Sequence, residues 1–328
     1  MKILIAGLGS IGRRHLRNLV ALGERDLLLY RTMRSTLPDD ELDGFPAETD
    51  LSAALAQRPQ AVIVANPTAL HLEVAIPAAR AGCHLLLEKP LSHSLERIEE
   101  LRSAVEQGGG RVQIGYHFRF HPGLQRARAL LQEGAIGRPL SVRAQWGEYL
   151  PGWHPWEDYR QGYSARADLG GGVVLTLSHP LDYLRWLFGE VKELWAFTAH
   201  SGQLELPVED TAEIGLRFQS GALGSLHLDY LRRPPAHCWE AFGSDGALCW
   251  DNADGAVRLY RAETGEWQCF PVPSGFERND LFLAEMRHFL QAASGQAEPL
   301  CSLEDGVQAL KLALAVHASQ QQGRQIQI

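Results

Sequence analysis

Residues 3–12, ILIAGLGSIG, set a short apolar run directly against Gly7-Leu8-Gly9-Ser10-Ile11-Gly12. A strand that ends in this glycine turn and opens into a helix has few architectures available to it. It is the context in which G-x-G-x-x-G binds a dinucleotide. Gly7 permits a sharp turn, Gly9 has no side chain to hold off a pyrophosphate, and Gly12 lets the helix pack close to the strand. Ser10 and Ile11 begin the helix, whose first N–H groups and partial positive charge are offered to the phosphates.

Strand and helix signals then alternate as far as residue 120. Residues 27–30, 61–65 (AVIVA), 84–87 and 111–115 read as strands; 11–22, 51–56, 69–81 and 95–105 read as helices, with Pro77 an irregularity inside the third. This alternation predicts parallel β-α-β units whose strand ends gather along the ligand-binding edge. Beyond residue 120, longer runs at 140–146, 191–199, 211–218, 222–230, 238–242, 247–250 and 257–260 predict a mostly antiparallel sheet. Helices are expected at 124–132, 172–188, 280–293 and 303–321. The fold class is therefore α/β, with a doubly wound parallel sheet over 1–120 and an α/β domain carrying a large, mostly antiparallel open sheet over 121–328.

Composition narrows the functional classes. A formal net charge of −8 over 328 residues argues against nucleic acid as the partner. No apolar run approaches the roughly 18 residues of a membrane span. Cys83, Cys238, Cys249, Cys269 and Cys301 are scattered without a C-x-x-C pair, which reads as reduced thiols and not as a disulfide frame or zinc site. The strand signal begins at Ile3 and leaves no space for a signal peptide, so a cytoplasmic protein is expected.

Several motifs follow one another in order: GLGSIGRRH from residue 7, ANPTALH at 65–71, EKPLS at 88–92, GYHFRFHP at 115–122 and GGGVVLTLSHPLDYLRWLFG at 170–189. Together they resemble, over the whole chain, the Gfo/Idh/MocA oxidoreductases, the family of glucose–fructose oxidoreductase and inositol 2-dehydrogenase. The resemblance implies a Rossmann domain followed by an α/β domain with a large open sheet. It also implies nicotinamide-dependent oxidation or reduction of a sugar, cyclitol or similar polyol. The stretch from Tyr116 to Gly189 resembles a subgroup associated with nonulosonic (sialic-acid-like) or surface-sugar metabolism.

The resemblance makes Lys89 an active-site lysine. An ammonium group beside a substrate hydroxyl stabilises the alkoxide character that grows as hydride leaves; by spacing alone Lys89 reads as a surface lysine paired with Glu88. Pro90 fixes the backbone behind it and allows a cis Lys89–Pro90 bond. His179 is the candidate acid–base group for the hydroxyl proton. Asp182 and Tyr183 stand three and four residues further on, able to share its helix face, with Asp182 a substrate contact or an orienting group for His179. Read alone, His179 is a packed core histidine. Thr176 stands where the family often carries Asp, which puts a carboxylate–histidine relay in doubt here and leaves Thr176 as a substrate or backbone contact.

Arg119 and His121 lie at the expected domain junction, in a segment whose family position faces nicotinamide and substrate. His117 and His121 are four residues apart but have no carboxylate cluster with them, so no metal is expected. Trp153, with His154 and Trp156, offers either an aromatic face for a sugar or a loop anchor. Arg166 reads equally as a partner for a substrate carboxylate and as a surface ion pair.

Domains of this kind that prefer NAD usually place an acid about 20 residues past the glycines. Here residues 29–32 read LYRT, with Arg34 close behind, and Arg31 fits the 2′-phosphate of NADP, so NADP is slightly favoured over NAD. Asn66, Pro67 and His71, after the AVIVA strand, are expected to line the cofactor cleft with Glu88 and Lys89. Two other functions stay open at this level: a nicotinamide-dependent glycosidase working by transient oxidation, and a non-catalytic nucleotide-binding sensor or scaffold. Apolar residues at alternate positions through 223–231 suggest an open sheet face too large to leave in water, and hence a homodimer or homotetramer.

Overall fold

A computed structural model describes residues 1–32, 37, 40–155 and 157–328. They divide into two compact units, Met1–His117 with Arg278–Val307 and Phe118–Glu277 with Gln308–Ile328.

The first unit is built on β1 (Ile3–Ala6), β2 (Leu27–Tyr30), β3 (Ala47–Glu48), β4 (Ala61–Val64), β5 (His84–Leu87) and β6 (Val112–Ile114), with helices α1 (Ser10–Ala21), α2 (Leu51–Ala56), α3 (His71–Arg80) and α4 (Ile98–Gly108). All strand pairs are parallel, in the order β3-β2-β1-β4-β5-β6. This is the doubly wound order, with its switch point between β1 and β4. Every residue of β1 and β4 is buried, as expected of central strands covered on both faces.

The second unit contains α5 (Pro122–Gln132), β7 (Pro139–Gly147), α6 (Val173–Thr176), α7 (His179–Phe188), β8 (Val191–Ala199), β9 (Thr211–Phe218), β10 (Leu223–Asp229), β11 (Ala236–Gly243), β12 (Gly246–Asp251), β13 (Val257–Arg261) and β14 (Glu266–Phe270). The chain ends with α8 (Arg278–Ala293), α9 (Leu303–Gln322) and β15 (Ile326–Gln327). Nine strands pair in the order β14-β13-β12-β11-β7-β10-β9-β8-β15, antiparallel throughout except where β7 meets β10. Among the described residues, no helix is long and apolar enough to cross a membrane.

Three features depart from the sequence reading. Residues 278–307, assigned by sequence to the second domain, belong to the first unit, where Met286 and Phe289 of α8 join the core around Ile3, Ile5 and Ile63. An amphipathic pattern shows that a helix packs but not against what. The single helix expected at 172–188 is two: α6 stops at Thr176, Leu177 leaves helical geometry at φ −95° and ψ 36°, and α7 restarts at His179 with Pro180 in its first turn. Proline has no N–H for the helical ladder and crowds the turn before it, so His179 opens a helix and does not sit inside one.

The third departure concerns the open sheet. The alternate apolar residues Leu226 and Leu228 of β10 point into the core, and Ser225 and His227 point outward. Their outward neighbours are Glu213, Arg143 and Gln145, so the face is polar around these two residues. Leu223, Trp195 and Phe197 are apolar side chains left exposed in the same sheet.

Candidate active site

The glycine turn of the first unit has two kinds of glycine. Gly7 has φ +93°, and a Cβ there would lie 2.4 Å from the Asn66 nitrogen; a Cβ on Gly12 would lie 1.9 Å from the Gly7 carbonyl oxygen. These two glycines are required by the close approach of turn, β4 and α1. A Cβ on Gly9 would meet nothing within 4 Å. The open side at Gly9 adjoins the start of α1, where no side chain caps the helix and no acidic residue stands in the first turn. Open space, Ser10 and Ile11 N–H groups at a helix start and the absence of nearby negative charge on that turn all fit a pyrophosphate.

Arg31 follows β2 and is half-buried. Arg34, read with it in the sequence, lies outside the described residues. Asn66 and Pro67 follow β4; the Asn66 side-chain amide donates to the Leu70 carbonyl (2.9 Å). His71 is buried, its ring nitrogens 3.0 Å from the Asn66 carbonyl and 3.3 Å from the Leu91 carbonyl. It ties the turn after β4 to the segment just past Lys89, and burial holds its ring below the ordinary histidine value.

At the end of β5, Glu88 turns inward and Lys89 is half-buried; the Lys89–Pro90 bond is cis. One Glu88 oxygen lies 2.7 Å from His15 Nε2 on α1, and the other accepts the Lys89 backbone N–H at 3.2 Å. Sequence reasoning missed His15, although it closes the GLGSIGRRH motif. Among the described residues, one set of side chains is close enough to share a metal ion: His15, Glu88 and Glu285 of α8. His117 and His121 are not members of it.

In the second unit, His179 is 2% exposed and packs edge-on to Phe118 (centroids 5.0 Å apart) and beside Trp146 (5.6 Å). Trp146 stacks flat on His237 at 4.3 Å, and the His237 Nε2 lies 3.2 Å from the Tyr183 hydroxyl. Burial pushes His237 well below the ordinary histidine value. In this unit, Phe118, Trp146 and His237 are residues that sequence reading missed. Trp239 and Ala241 alternate with His237 on the buried face of β11, but the expected strand began at 238 and left His237 outside it.

Asp182 of α7 is buried. Arg119 grips it with two hydrogen bonds, Nε to Oδ2 at 3.0 Å and a terminal nitrogen to Oδ1 at 2.7 Å, and both side chains are about 2% exposed. His121 caps α5, its Nδ1 accepting the Gly123 N–H at 3.0 Å, and burial lowers its ring to about 4. Thr176 is buried at the end of α6, and the nearby Tyr230 phenol donates to the Ser164 carbonyl at 3.3 Å. Trp153 stands edge-on to the same Tyr230 ring at 5.7 Å, and Trp156 lies outside the described residues. His154 Nδ1 is 2.6 Å from Glu157. Arg166 forms an exposed two-point pair with Asp168 (3.0 and 2.5 Å).

Comparisons with known proteins extend this description. The family model "Oxidoreductase family, NAD-binding Rossmann fold" matches residues 1–116, and the "GFO/IDH/MocA C-terminal domain" matches residues 124–249. The chain is 33% identical over 264 residues to 1,5-anhydro-D-fructose reductase of Ensifer adhaerens, covering 78% of this chain and 76% of that protein. It is 29% identical to myo-inositol 2-dehydrogenase of Thermotoga maritima, over 100% of this chain and 98% of the relative. A 202-residue stretch, 60% of this chain and 53% of the relative, is 31% identical to 2,7-anhydro-N-acetylneuraminate hydratase of Escherichia coli. The solved levoglucosan dehydrogenase, in complex with NADH and levoglucosan, shares the fold at a TM-score of 0.88 and 20% identity, covering 99% of this chain and 98% of that one.

Proposed function

The chain belongs to the GFO/IDH/MocA oxidoreductase family, and from that premise we propose that it moves a hydride between a nicotinamide dinucleotide and a CH–OH carbon of a sugar, sugar derivative or cyclitol. The observation that carries this reading is the open cradle at Gly9, set at the start of α1 in the same parallel sheet whose fifth strand leads to Lys89. When bound, the nicotinamide takes or gives the hydride. Lys89 holds the substrate oxygen through the step in which negative charge builds on it. His179 takes up the hydroxyl proton on oxidation and returns it on reduction.

Phe118 and Trp146 hold the His179 ring in place. The Arg119–Asp182 pair fixes the segment after His117 to the first turn of α7. Thr176 and Trp153, both against Tyr230, meet the substrate. Arg166 reaches a substrate carboxylate only by giving up Asp168. Arg31 supports NADP as the slightly preferred cofactor, although a structural relative holds NADH. A surface-sugar or nonulosonic substrate draws support from the relative named for an anhydro-N-acetylneuraminate. The scattered cysteines, as thiols, support a cytoplasmic location. The exposed Leu223, Trp195 and Phe197 support assembly as a homodimer or homotetramer through the second unit's sheet.

A second reading has one observation in its favour. The relative named a hydratase points to chemistry without net oxidation, of the kind in which hydride leaves, a bond is cleaved or formed by elimination or addition, and hydride returns.

The test is a fluorescence titration with NADH and NADPH, then a panel of sugars, anhydro sugars, sugar acids and cyclitols with both cofactors. The expected result is binding of both, NADPH the tighter, and turnover that changes NAD(P)H absorbance. Product formed with no change in NAD(P)H would select the second reading. Binding without any turnover, and indifferent to Lys89→Ala, would replace both readings by a nucleotide sensor.

A further inference from the structure

Glu285 lies in the middle of α8 with no exposed surface, and neither of its carboxylate oxygens has a hydrogen-bond partner. It faces the Glu88–His15 pair, with one ligand atom from each of the three side chains within 4.8 Å of the others. Two carboxylates buried this close cannot both stay charged unless something positive joins them.

The two acids differ in what supports them. Burial alone would raise the Glu88 carboxyl, but the hydrogen bond with His15 and the neighbouring Lys89 ammonium outweigh burial and hold it below the ordinary value. Glu285 has no such support: burial, then the charge of Glu88, raises it well above that value. Other charged or titratable groups of this neighbourhood include Arg14 and Arg17 on α1, His71 on α3, His117 after β6 and Arg278 at the start of α8. Arg14 is stacked on the Phe282 ring at 4.5 Å.

We propose that Glu285 is a positioning residue that stays protonated at neutral pH, and that its neutrality lets Glu88 keep its charge on His15 and on the Lys89 backbone. An ionised Glu285 would repel the Glu88 carboxylate from the position in which it accepts the Lys89 N–H. The positioning role rests on the reading of Lys89 as the residue that meets substrate. The protonation of Glu285 does not.

Infrared spectra of the folded, cofactor-free protein test the protonation. A carbonyl band of a buried carboxylic acid is expected in the wild type at neutral pH and is lost in Glu285→Gln. No such band at neutral pH, or a stoichiometric metal ion that Glu285→Gln abolishes, would overturn the proposal. Thermal melts add a second readout. A folded value raised above the unfolded 4.5 means stability is lost as pH rises, so the melting temperature of Glu285→Gln should gain steadily on the wild type above pH 4.5. A constant or shrinking difference would count against the proposal.

With the best substrate, Glu285→Ala should lower kcat about tenfold by letting the Lys89 segment drift, and Glu285→Gln should restore most of it. Equal kcat in the two variants would remove the positioning role. If the wild type turns over no sugar, the proposed oxidoreductase function fails, while the infrared band and the melts still decide the state of Glu285.

Discussion

In the proposed reaction two side chains, Lys89 and His179, do the chemistry, and their neighbours determine whether they can. Removing either an acid–base group or an oxyanion partner typically costs at least about a hundredfold in rate. Lys89→Ala and His179→Gln should therefore each lower kcat by about a hundredfold or more with a folded protein, read by steady-state kinetics beside circular dichroism. Arg119 and Asp182 belong to a different class. Each holds the other in a site about 2% exposed, so Asp182→Ala takes the carboxylate away from a buried guanidinium. Calorimetry should show a loss of about 3–5 kcal/mol, and the Arg119→Met/Asp182→Leu double variant should lose less than the single one. Motif reading named all four residues. Helical spacing offered Asp182 to substrate or to His179, while its pairing with Arg119, 63 positions away, has no local sign.

At the scale of the element, the glycine turn separates a packing requirement from a binding requirement. Gly12→Ala drives a Cβ against the Gly7 carbonyl and should cost about 1–3 kcal/mol or more. Gly9→Ala meets nothing and should melt like the wild type while losing at least about tenfold in NAD(P)H affinity, because the methyl group fills the cradle. Calorimetry and fluorescence titration on the two variants separate these outcomes. On the sheet of the second unit, His227 of β10 lies 2.7 Å from Glu213 of β9 and 2.9 Å from Asp229. The hydrogen bond to Asp229, then the Glu213 carboxylate, outweigh burial and raise its ring above the ordinary value of 6.5. The stability this adds is fully present below the unfolded pKa and is lost as pH climbs through the folded one. Melting temperatures of His227→Gln should fall short of the wild type near pH 6 and converge with it by about pH 9.

For the molecule as a whole, the return of residues 278–307 to the first unit has a consequence for any attempt to isolate the dinucleotide-binding half. Met286 and Phe289 have at most 1% exposure in its core, and losing large buried side chains costs about 2–5 kcal/mol apiece. A fragment of residues 1–117 should show no cooperative melt, and linking 278–307 to it should restore one. Cooperative unfolding of 1–117 alone, seen by calorimetry, would show that α8 is dispensable.

The type of each sheet, the glycine cradle and the position of Lys89 at the end of β5 were legible in the sequence, because each depends on residues within a few positions of one another. A strand's period, a turn's glycines and a proline beside a lysine are local facts with local causes. Tertiary structure alone decided that Glu88 faces His15 and Glu285, that Asp182 answers Arg119, that His237 lines the wall beyond Trp146, and that Leu226 and Leu228 turn into the core. Hydrophobic periodicity reports that a side chain is buried. Which partner it meets depends on distant segments folding onto the same core, and one chain read by itself carries no local sign of that.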